Sequence, residues 1–206
     1  GRQIVSDNGL DLPIEQFEQR FEELQVPHST AFHALLDGEP YLVGPLARLN
    51  INNNKLHSKV KVLCGELGVR FPSRNMFDSI VARGVELLQM IRESVVLLEQ
   101  YQRPSQPWSE FSPKAGVAFG ATCAPRGMLW HRYQLDAEGK IQSAQIVPPT
   151  SQNQARIEAD LYYSLNQFGL DRSQEAIKLH GEQVIRNYDP CISCATHFLD
   201  LRMKQV

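Results

Sequence analysis

Residues 77–101 read FDSIVARGVELLQMIRESVVLLEQY and carry the strongest hydrophobic periodicity of this chain. Two interleaved series recur in it at heptad spacing: Val81, Leu88, Val95 and Gly84, Ile91, Leu98. Such a stripe predicts a long amphipathic helix that packs against a partner helix. Gly84 has no side chain and would let that partner approach closely. The pattern favours a mainly α-helical fold.

Other segments predict further helices and two antiparallel hairpins. Helical spacing is found over four more segments: residues 14–24, 46–68, 152–168 and 173–187. A β-hairpin is predicted from residues 128–135 and 140–147. Asp37-Gly38 marks a second hairpin turn, between residues 28–36 and 41–43.

The remaining segments are expected to be irregular. Residues 1–13 lack periodicity and are expected to be a linker or a severed end. Residues 103–113 contain three prolines and are expected to form a loop. The predicted architecture is a single domain over residues 1–206, a helical bundle with small antiparallel β-hairpins.

The composition is that of a globular chain with a substantial core. Of the 206 residues, 42% are hydrophobic and 21% are charged, and the formal net charge is −2. This balance lacks the excess of Lys and Arg that nucleic-acid-binding proteins carry. No apolar run approaches the ~18 residues of a membrane-spanning helix, and no signal peptide is evident. We expect a cytoplasmic protein that contacts neither nucleic acid nor membrane.

Residues 189–197 read DPCISCATH and form the most informative motif of the chain. Cys191 and Cys194 are three positions apart, so both thiols lie on one side of a single turn, and His197 follows three positions later. This is metal-ligand spacing, and paired thiolates select zinc, nickel, copper(I) or iron. The motif can also be half of a structural zinc site. Asp189-Pro190 can equally begin a helix, which is compatible with a metal site.

The other cysteine and histidine residues have simpler interpretations. Cys64 lies in a predicted helix and is expected to be a small core residue. Five histidines have no partner motif and are expected to be surface residues or hydrogen-bonded core residues: His28, His33, His57, His131 and His180.

Three more segments carry family motifs. Residues 120–127 read GATCAPRG, residues 147–154 read VPPTSQNQ, and residues 41–50 read YLVGPLARLN. Together with DPCISCATH, these resemble the A-P-R-G loop, the proline-threonine loop, a core-helix segment and the C-terminal motif of nickel-iron hydrogenase large subunits. The resemblance is strongest to the cytoplasmic, NAD(P)-linked or sulfur-linked branch, and it covers most of the chain.

This resemblance implies half of a nickel site in the C-terminal motif. In the family, four cysteine thiolates hold nickel, and two of them bridge to an iron that carries cyanide and carbon monoxide. By the resemblance, Cys191 would be a terminal nickel ligand and Cys194 a bridging ligand. His197 would bind magnesium, or iron, near the C-terminus and fasten the end of the chain to the core.

The resemblance also implies roles for residues around the metals. Arg126 would place its guanidinium over the open coordination site, where a fixed planar cation assists heterolytic cleavage of a small molecule. Asp189 would hold that arginine. Pro149 and Thr150 would form the pocket wall around the cyanides, with the Thr150 hydroxyl donating a hydrogen bond. The hairpin ends and the start of the last helix are therefore expected to converge.

Two features depart from the family pattern. The family's other cysteine pair lies in an R-x-C-G-x-C motif near the N-terminus, and nothing in these 206 residues matches it. The chain is therefore expected to be the C-terminal half of a longer protein, to pair with another chain, or to have lost the chemistry. Cys123 stands where the family commonly has glutamate, either as an extra soft ligand or as an engineered replacement.

The expected function is reversible H2 oxidation and proton reduction in a complete enzyme, with this chain inactive alone. The expected partners are the N-terminal half of the large subunit or an equivalent chain, diaphorase subunits in NAD(P)-linked complexes, and an iron-sulfur small subunit. The alternative is a non-catalytic relative that acts as a structural or assembly subunit. Residues 198–206 have an amphipathic pattern and are expected to be retained rather than removed on maturation.

Overall fold

The computed structural model of the chain describes residues 1–191 and residue 193. It is 43% helical and 22% strand, so the expectation of a mainly α fold is only roughly confirmed. The described chain contains three small antiparallel sheets and five α-helices. The helix expected from the cysteine motif onward and the tail at residues 198–206 lie outside the described residues.

Residues 1–13 form a hairpin, so the expectation of a linker is wrong. Strands β1 (Gln3–Val5) and β2 (Asp11–Pro13) pair antiparallel, with Ile4 opposite Leu12. Both side chains are buried in the main apolar core. Strands of three residues are too short to show a hydrophobic period, which is why the sequence pattern missed them.

Residues 14–24 are not the predicted helix but a 3-10 turn at Ile14–Gln19 followed by strand β3 (Phe21–Gln25). Phe17 and Phe21 have helical spacing in the sequence. Their rings instead stack 4.3 Å apart inside the apolar core. Packing of these two rings therefore overrides the local helical pattern.

The predicted turn at Asp37-Gly38 is present, but its strand pairing differs from the prediction. Asp37 and Gly38 have positive φ of 52° and 81°. Strand β4 (Phe32–Leu36), which precedes the turn, pairs with β3 rather than with residues 41–43. A turn motif marks a chain reversal but does not identify the strand that pairs across it.

The predicted hairpin at residues 128–147 is confirmed as part of a three-stranded antiparallel sheet. Its strands follow in order as β5 (Gly116–Ala124), β6 (Gly127–Leu135) and β7 (Ile141–Val147). Strand β5 was not predicted from the sequence, because it is rich in Gly and Ala. Trp130 of β6 is fully buried, and its Nε1 donates a hydrogen bond to Ile14 O at 2.9 Å.

Residues 46–68, expected to be one helix, form two. Helices α1 (Pro45–Asn52) and α2 (Ser58–Glu66) are separated by a 3-10 turn at Asn53–Lys55. Consecutive asparagines favour turns over a continuing helix. His57 then adopts an extended backbone, and its Nδ1 caps α2 by accepting a hydrogen bond from Lys59 N.

Helix α3 (Asp78–Glu99) confirms the helix predicted from the strongest periodicity. Its N-terminal part packs against α1 through Ala82. Farther along, Ile91 and Leu98 are 62% and 74% exposed. A Cβ at Gly84 would have no neighbour within 4 Å. In the described part of the chain, the partner helix predicted at Gly84 is therefore not found.

Helices α4 (Pro149–Phe168) and α5 (Gln174–Arg186) confirm the last two predicted helices. Gly169, with φ of 99°, ends α4, and the Ser173 hydroxyl caps α5 by accepting from Ala176 N. Helix α4 packs against both α5 and β4. None of the described helices is long and apolar enough to span a membrane.

Candidate functional site

Arg126 lies in the tight turn between β5 and β6. Because β7 runs antiparallel to β6, this turn lies at the end of the sheet where β7 leads into α4. Arg126 Nε donates a hydrogen bond to Asp189 O at 2.6 Å and lies 3.1 Å from Asp189 Oδ2. The two side chains are 39% and 45% exposed, so part of the guanidinium stays accessible.

The backbone of Asp189 directs this contact. Its φ is 48°, in the left-handed region that Asp tolerates better than most residues. A helix N-cap residue has an extended backbone instead, so the structure does not support the interpretation of Asp189 as an N-cap. The turn directs both the carbonyl oxygen and the carboxylate of Asp189 toward one guanidinium.

Tyr188 fastens the preceding residue to α4. Its side chain is buried, and its hydroxyl donates to Asp160 Oδ2, a carboxylate that also pairs with Arg156. Burial, followed by the hydrogen bond to Asp160, raises the pKa of Tyr188 well above its usual value. The phenol is therefore protonated and remains a donor throughout the physiological pH range.

The first turn of α4 contacts the cysteine motif. Pro149 and Thr150 begin this helix, and both are buried. Thr150 Oγ1 accepts a hydrogen bond from Cys191 N at 3.2 Å. Because a hydroxyl can accept and donate at the same time, Thr150 keeps its own proton for a second partner.

Cys191 itself is half-buried, and its Sγ lies 3.6 Å from Ser193 Oγ. Metal binding requires the thiolate form of this sulfur.

The structure thus brings together five of the residues singled out in the sequence: Arg126, Pro149, Thr150, Asp189 and Cys191. Cys194 and His197 lie outside the described residues. The sulfur of Cys191 is the described donor atom that suits a soft or borderline metal when it is a thiolate. Of the two cysteines in the C-terminal motif, Cys191 is among the described residues.

Two buried amides next to Thr150 were not assigned roles from the sequence. Gln152 Nε2 donates to Met128 O at 2.6 Å and to Val147 O at 3.2 Å. The Asn153 side chain pairs with both backbone groups of Val43, at 2.8 Å and 3.1 Å. These contacts fix α4 to the sheet and to the segment before α1. The signal available in the sequence was the run of amides after two prolines.

Glycines permit a close approach between that segment and the arginine loop. A Cβ at Gly44 would lie 2.7 Å from Arg126 O, and one at Gly127 would lie 2.4 Å from Val43 Cγ2. Both glycines also have positive φ, of 115° and 144°. A side chain at either position would therefore displace the loop that carries Arg126.

Arg48 of α1 anchors the arginine loop from the other side. Its guanidinium makes two 2.7 Å bonds to the Glu86 carboxylate and donates to Ala124 O at 2.9 Å and Pro125 O at 2.8 Å. Burial acts to lower the pKa of Arg48, but the bonds to Glu86, with a smaller contribution from Cys123, raise it overall. The pair therefore stays ionic while it ties the loop to α1 and α3.

The two other cysteines differ in exposure. Cys123 is an exposed free thiol on β5 that interacts with Arg48. Cys64 is a half-buried free thiol on α2, and burial raises its pKa. A raised pKa disfavours the thiolate that binds metals, which fits a structural role for Cys64.

Comparison with known proteins shows what this chain is similar to. The family model described as nickel-dependent hydrogenase matches residues 34–197. The alpha subunit of sulfhydrogenase 1 from Pyrococcus furiosus is 30% identical over 203 residues, which are 98% of this chain and 47% of that protein. One subunit of the F420-non-reducing hydrogenase from Methanothermobacter marburgensis is 39% identical over 173 residues, 80% of this chain and 36% of that protein.

A solved structure shows the same relationship in three dimensions. The NAD+-reducing NiFe-hydrogenase in its H2-reduced state matches with a TM-score of 0.74 and 25% identity. The match covers 95% of this chain and 46% of that one. The chain spans about half the length, or less, of the relatives it matches.

Proposed function

The chain belongs to the nickel-dependent hydrogenase family, and we propose that it is the C-terminal part of a large subunit that cleaves H2 reversibly to protons and electrons when complete. One observation carries the proposal. Arg126, Thr150 and the Asp189–Cys191 segment come from three separate motifs, yet they are joined by hydrogen bonds. Short motifs can recur by chance, whereas contacts between them depend on the fold.

Cys191 and Cys194 would supply half of the metal ligands, and both have the soft donor atom that nickel and iron accept. A nickel-iron centre supplies the redox and Lewis-acid chemistry for H2 cleavage when bound. Pro149 and Thr150 would form the pocket wall around the cyanide ligands of iron, with the Thr150 hydroxyl donating a hydrogen bond. His197 would hold magnesium or iron near the C-terminus.

Arg126 would act through charge and position. Its planar cation is fixed by Asp189, so it can face developing negative charge without reorganising. The Cys191 Sγ, or a cysteine outside this chain, would hold the proton released from H2. Arg48, Asn153 and Tyr188 would keep these groups in place by fixing the segments that carry them.

The complete enzyme would need other chain segments. Matched relatives are named as subunits, which supports a heteromeric assembly. The N-terminal half of the large subunit or an equivalent chain would supply the second thiolate pair. An iron-sulfur small subunit would carry electrons away, with diaphorase subunits following in an NAD(P)-linked complex. We also propose a cytoplasmic location and no activity for this chain alone.

A non-catalytic role is the second candidate. One observation favours it: no R-x-C-G-x-C motif is present in these 206 residues, and only Cys191 and Cys194 form a pair. In this case the chain would serve a structural or assembly role. Nickel and iron content, measured with and without an N-terminal partner, separates the two candidates.

To test the proposal, this chain is co-expressed with the N-terminal half of a large subunit that carries the R-x-C-G-x-C motif. Arg126→Lys is expected to leave metal content near normal and to lower H2-dependent dye reduction at least about tenfold, because Lys lacks the planar fork. Arg186→Lys is the matched control, since Arg186 forms an exposed ion pair with Glu182. Unchanged turnover in Arg126→Lys would remove Arg126 from the site, and a complex without nickel would favour the non-catalytic role.

A further inference from the structure

Two histidines that have no partner motif in the sequence lie together with a carboxylate of α4. One potential ligand atom from each of His28, His33 and Glu158 lies within 4.8 Å of the other two. His28 is at the surface, and His33 is buried with its ring beside Glu158. We propose that the three residues form a binding site for a divalent transition-metal ion, with Zn2+ as the ion that tests it. This inference does not depend on hydrogenase activity.

The distances fit a metal ion with little rearrangement. Measured to the same carboxylate oxygen, Glu158 Oε1, the distance is 2.9 Å from His33 Nε2 and 3.3 Å from His28 Nε2. Zinc bonds of about 2.0–2.2 Å place tetrahedral donors about 3.3 Å apart. Both His–Glu separations are close to this value. The three ligand atoms lie up to 4.8 Å apart. The His28 side chain is 66% exposed and can therefore move to bring its nitrogen closer to the other two ligand atoms.

His33 provides an independent observation that points to a ligand. Its side chain is only 6% exposed, on strand β4. Neither ring nitrogen makes a hydrogen bond of good geometry to a described residue, although Nε2 is close to Glu158. Buried polar atoms are normally satisfied. His33 is thus buried while both of its ring nitrogens lack a well-aligned hydrogen-bond partner among the described residues.

The scaffold holds two of the three residues on regular structure. His33 is on β4 and Glu158 is on α4, and these two elements pack together. His28 is in the loop between β3 and β4. A metal ion would therefore join this loop and β4 to the helix whose first turn carries Thr150.

The donor set favours a first-row transition metal. Two imidazoles and one carboxylate suit zinc, and also iron, nickel or copper. Three protein ligands leave a fourth position for water or a small ligand, and the exposure of His28 keeps that position open. The competing arrangement has no metal: the Glu158 carboxylate is hydrogen-bonded to His28 and lies close to the His33 ring.

The experiment uses the full 206-residue chain with Cys191→Ser and Cys194→Ser, so that the thiolate pair cannot compete for the ion. Zn2+ is titrated by calorimetry. Co2+ is then added as a spectroscopic probe, because thiolate coordination gives strong charge-transfer bands and N/O coordination gives only weak d–d bands. We expect one equivalent of Zn2+ to bind and the Co2+ spectrum to be of the N/O type.

His28→Gln and Glu158→Gln are each expected to weaken Zn2+ binding at least about tenfold. His131→Gln and Glu182→Gln are the matched controls, because His131 contacts Tyr133 and Glu182 contacts Arg186. Circular dichroism checks that each variant folds. His33→Gln alters a buried residue, so His28→Gln provides the test if that variant does not fold.

Two results would overturn the site. One is the absence of Zn2+ binding in the background that lacks the cysteine pair. The other is binding of equal strength in His28→Gln, Glu158→Gln and the two controls. Either result leaves Glu158 paired with His28 and close to His33, without a metal.

Discussion

The core around Trp130 and the C-terminal part of α3 are both rich in apolar side chains, yet only the first is buried. Around Trp130, side chains from β1, β2, the 3-10 turn, β3 and β7 cover one another. On α3, Ile91 and Leu98 are exposed although they belong to the most regular apolar stripe of the sequence. Regular periodicity therefore did not lead to burial.

The difference shows that an apolar pattern indicates which face of a segment can pack. The pattern does not indicate whether another segment is present to cover that face. The strands around Trp130 have irregular or very short patterns, but their partners are all within the described chain. The stripe on α3 has a clear helical period, and much of it has nothing to cover it among residues 1–191. The apolar pattern of α3 is therefore not matched by burial within the described residues.

The largest expected effect comes from removing the centre of the buried core. Trp130→Ala is expected to lower the free energy of unfolding by about 3–5 kcal/mol, because the mutation leaves a cavity. It also removes the stacking with Phe17 at 4.5 Å and the bond to Ile14 O. Urea unfolding measures the change. Leu98→Ala is the control, with an expected change within about 0.5 kcal/mol. Equal losses in both variants would contradict the comparison.

An intermediate effect is expected for the anchor of the arginine loop. Arg48→Met should lower the free energy of unfolding by about 2–3 kcal/mol, because Glu86 and two loop carbonyls lose their donor in a largely buried place. Arg186→Met removes an exposed ion pair and should lower the free energy of unfolding by about 0–1 kcal/mol. If thermal or urea unfolding shows the same loss of stability for both variants, Arg48 does not stabilise the loop.

The smallest effect is expected at the surface turn after β4. The Arg20 hydrogen bond lowers the pKa of Asp37 below its usual value of 3.8. A lowered pKa in the folded state adds stability above the unfolded-state pKa, and this stability is lost as pH falls through the folded-state pKa. Arg20→Gln should therefore raise the pKa of Asp37 toward its usual value, as measured by NMR titration. An unchanged pKa would show that the pair is not formed in solution.

Much of the local structure could be predicted from the sequence. Helices α3, α4 and α5 and the hairpin of β6 and β7 match their predicted patterns, because each spans enough residues to show a period. Strands β1 and β2 are too short to show one. Residues 14–24 had helical spacing, but ring packing at Phe17 and Phe21 led to a turn and a strand.

The site was predictable in part. The family motifs pointed to Arg126 and Asp189 as neighbours, and the structure has them 3.1 Å apart. Their roles in catalysis stay predictions. Asn153, Arg48 and the His28–His33–Glu158 cluster could not be found in this way, because nothing near each residue in the sequence indicates its partner.

The amino-acid sequence determined the features that depend on neighbouring residues: helical periods, the turn at Asp37-Gly38 and the spacing of Cys191 and Cys194. Only the tertiary structure decided which distant groups meet, such as Asn153 with Val43 and Glu158 with His28, which are 110 and 130 positions apart. Backbone torsions and side-chain periods are set locally. Closing a long loop costs chain entropy and forms no particular pair by itself, so packing of the whole chain selects the partners.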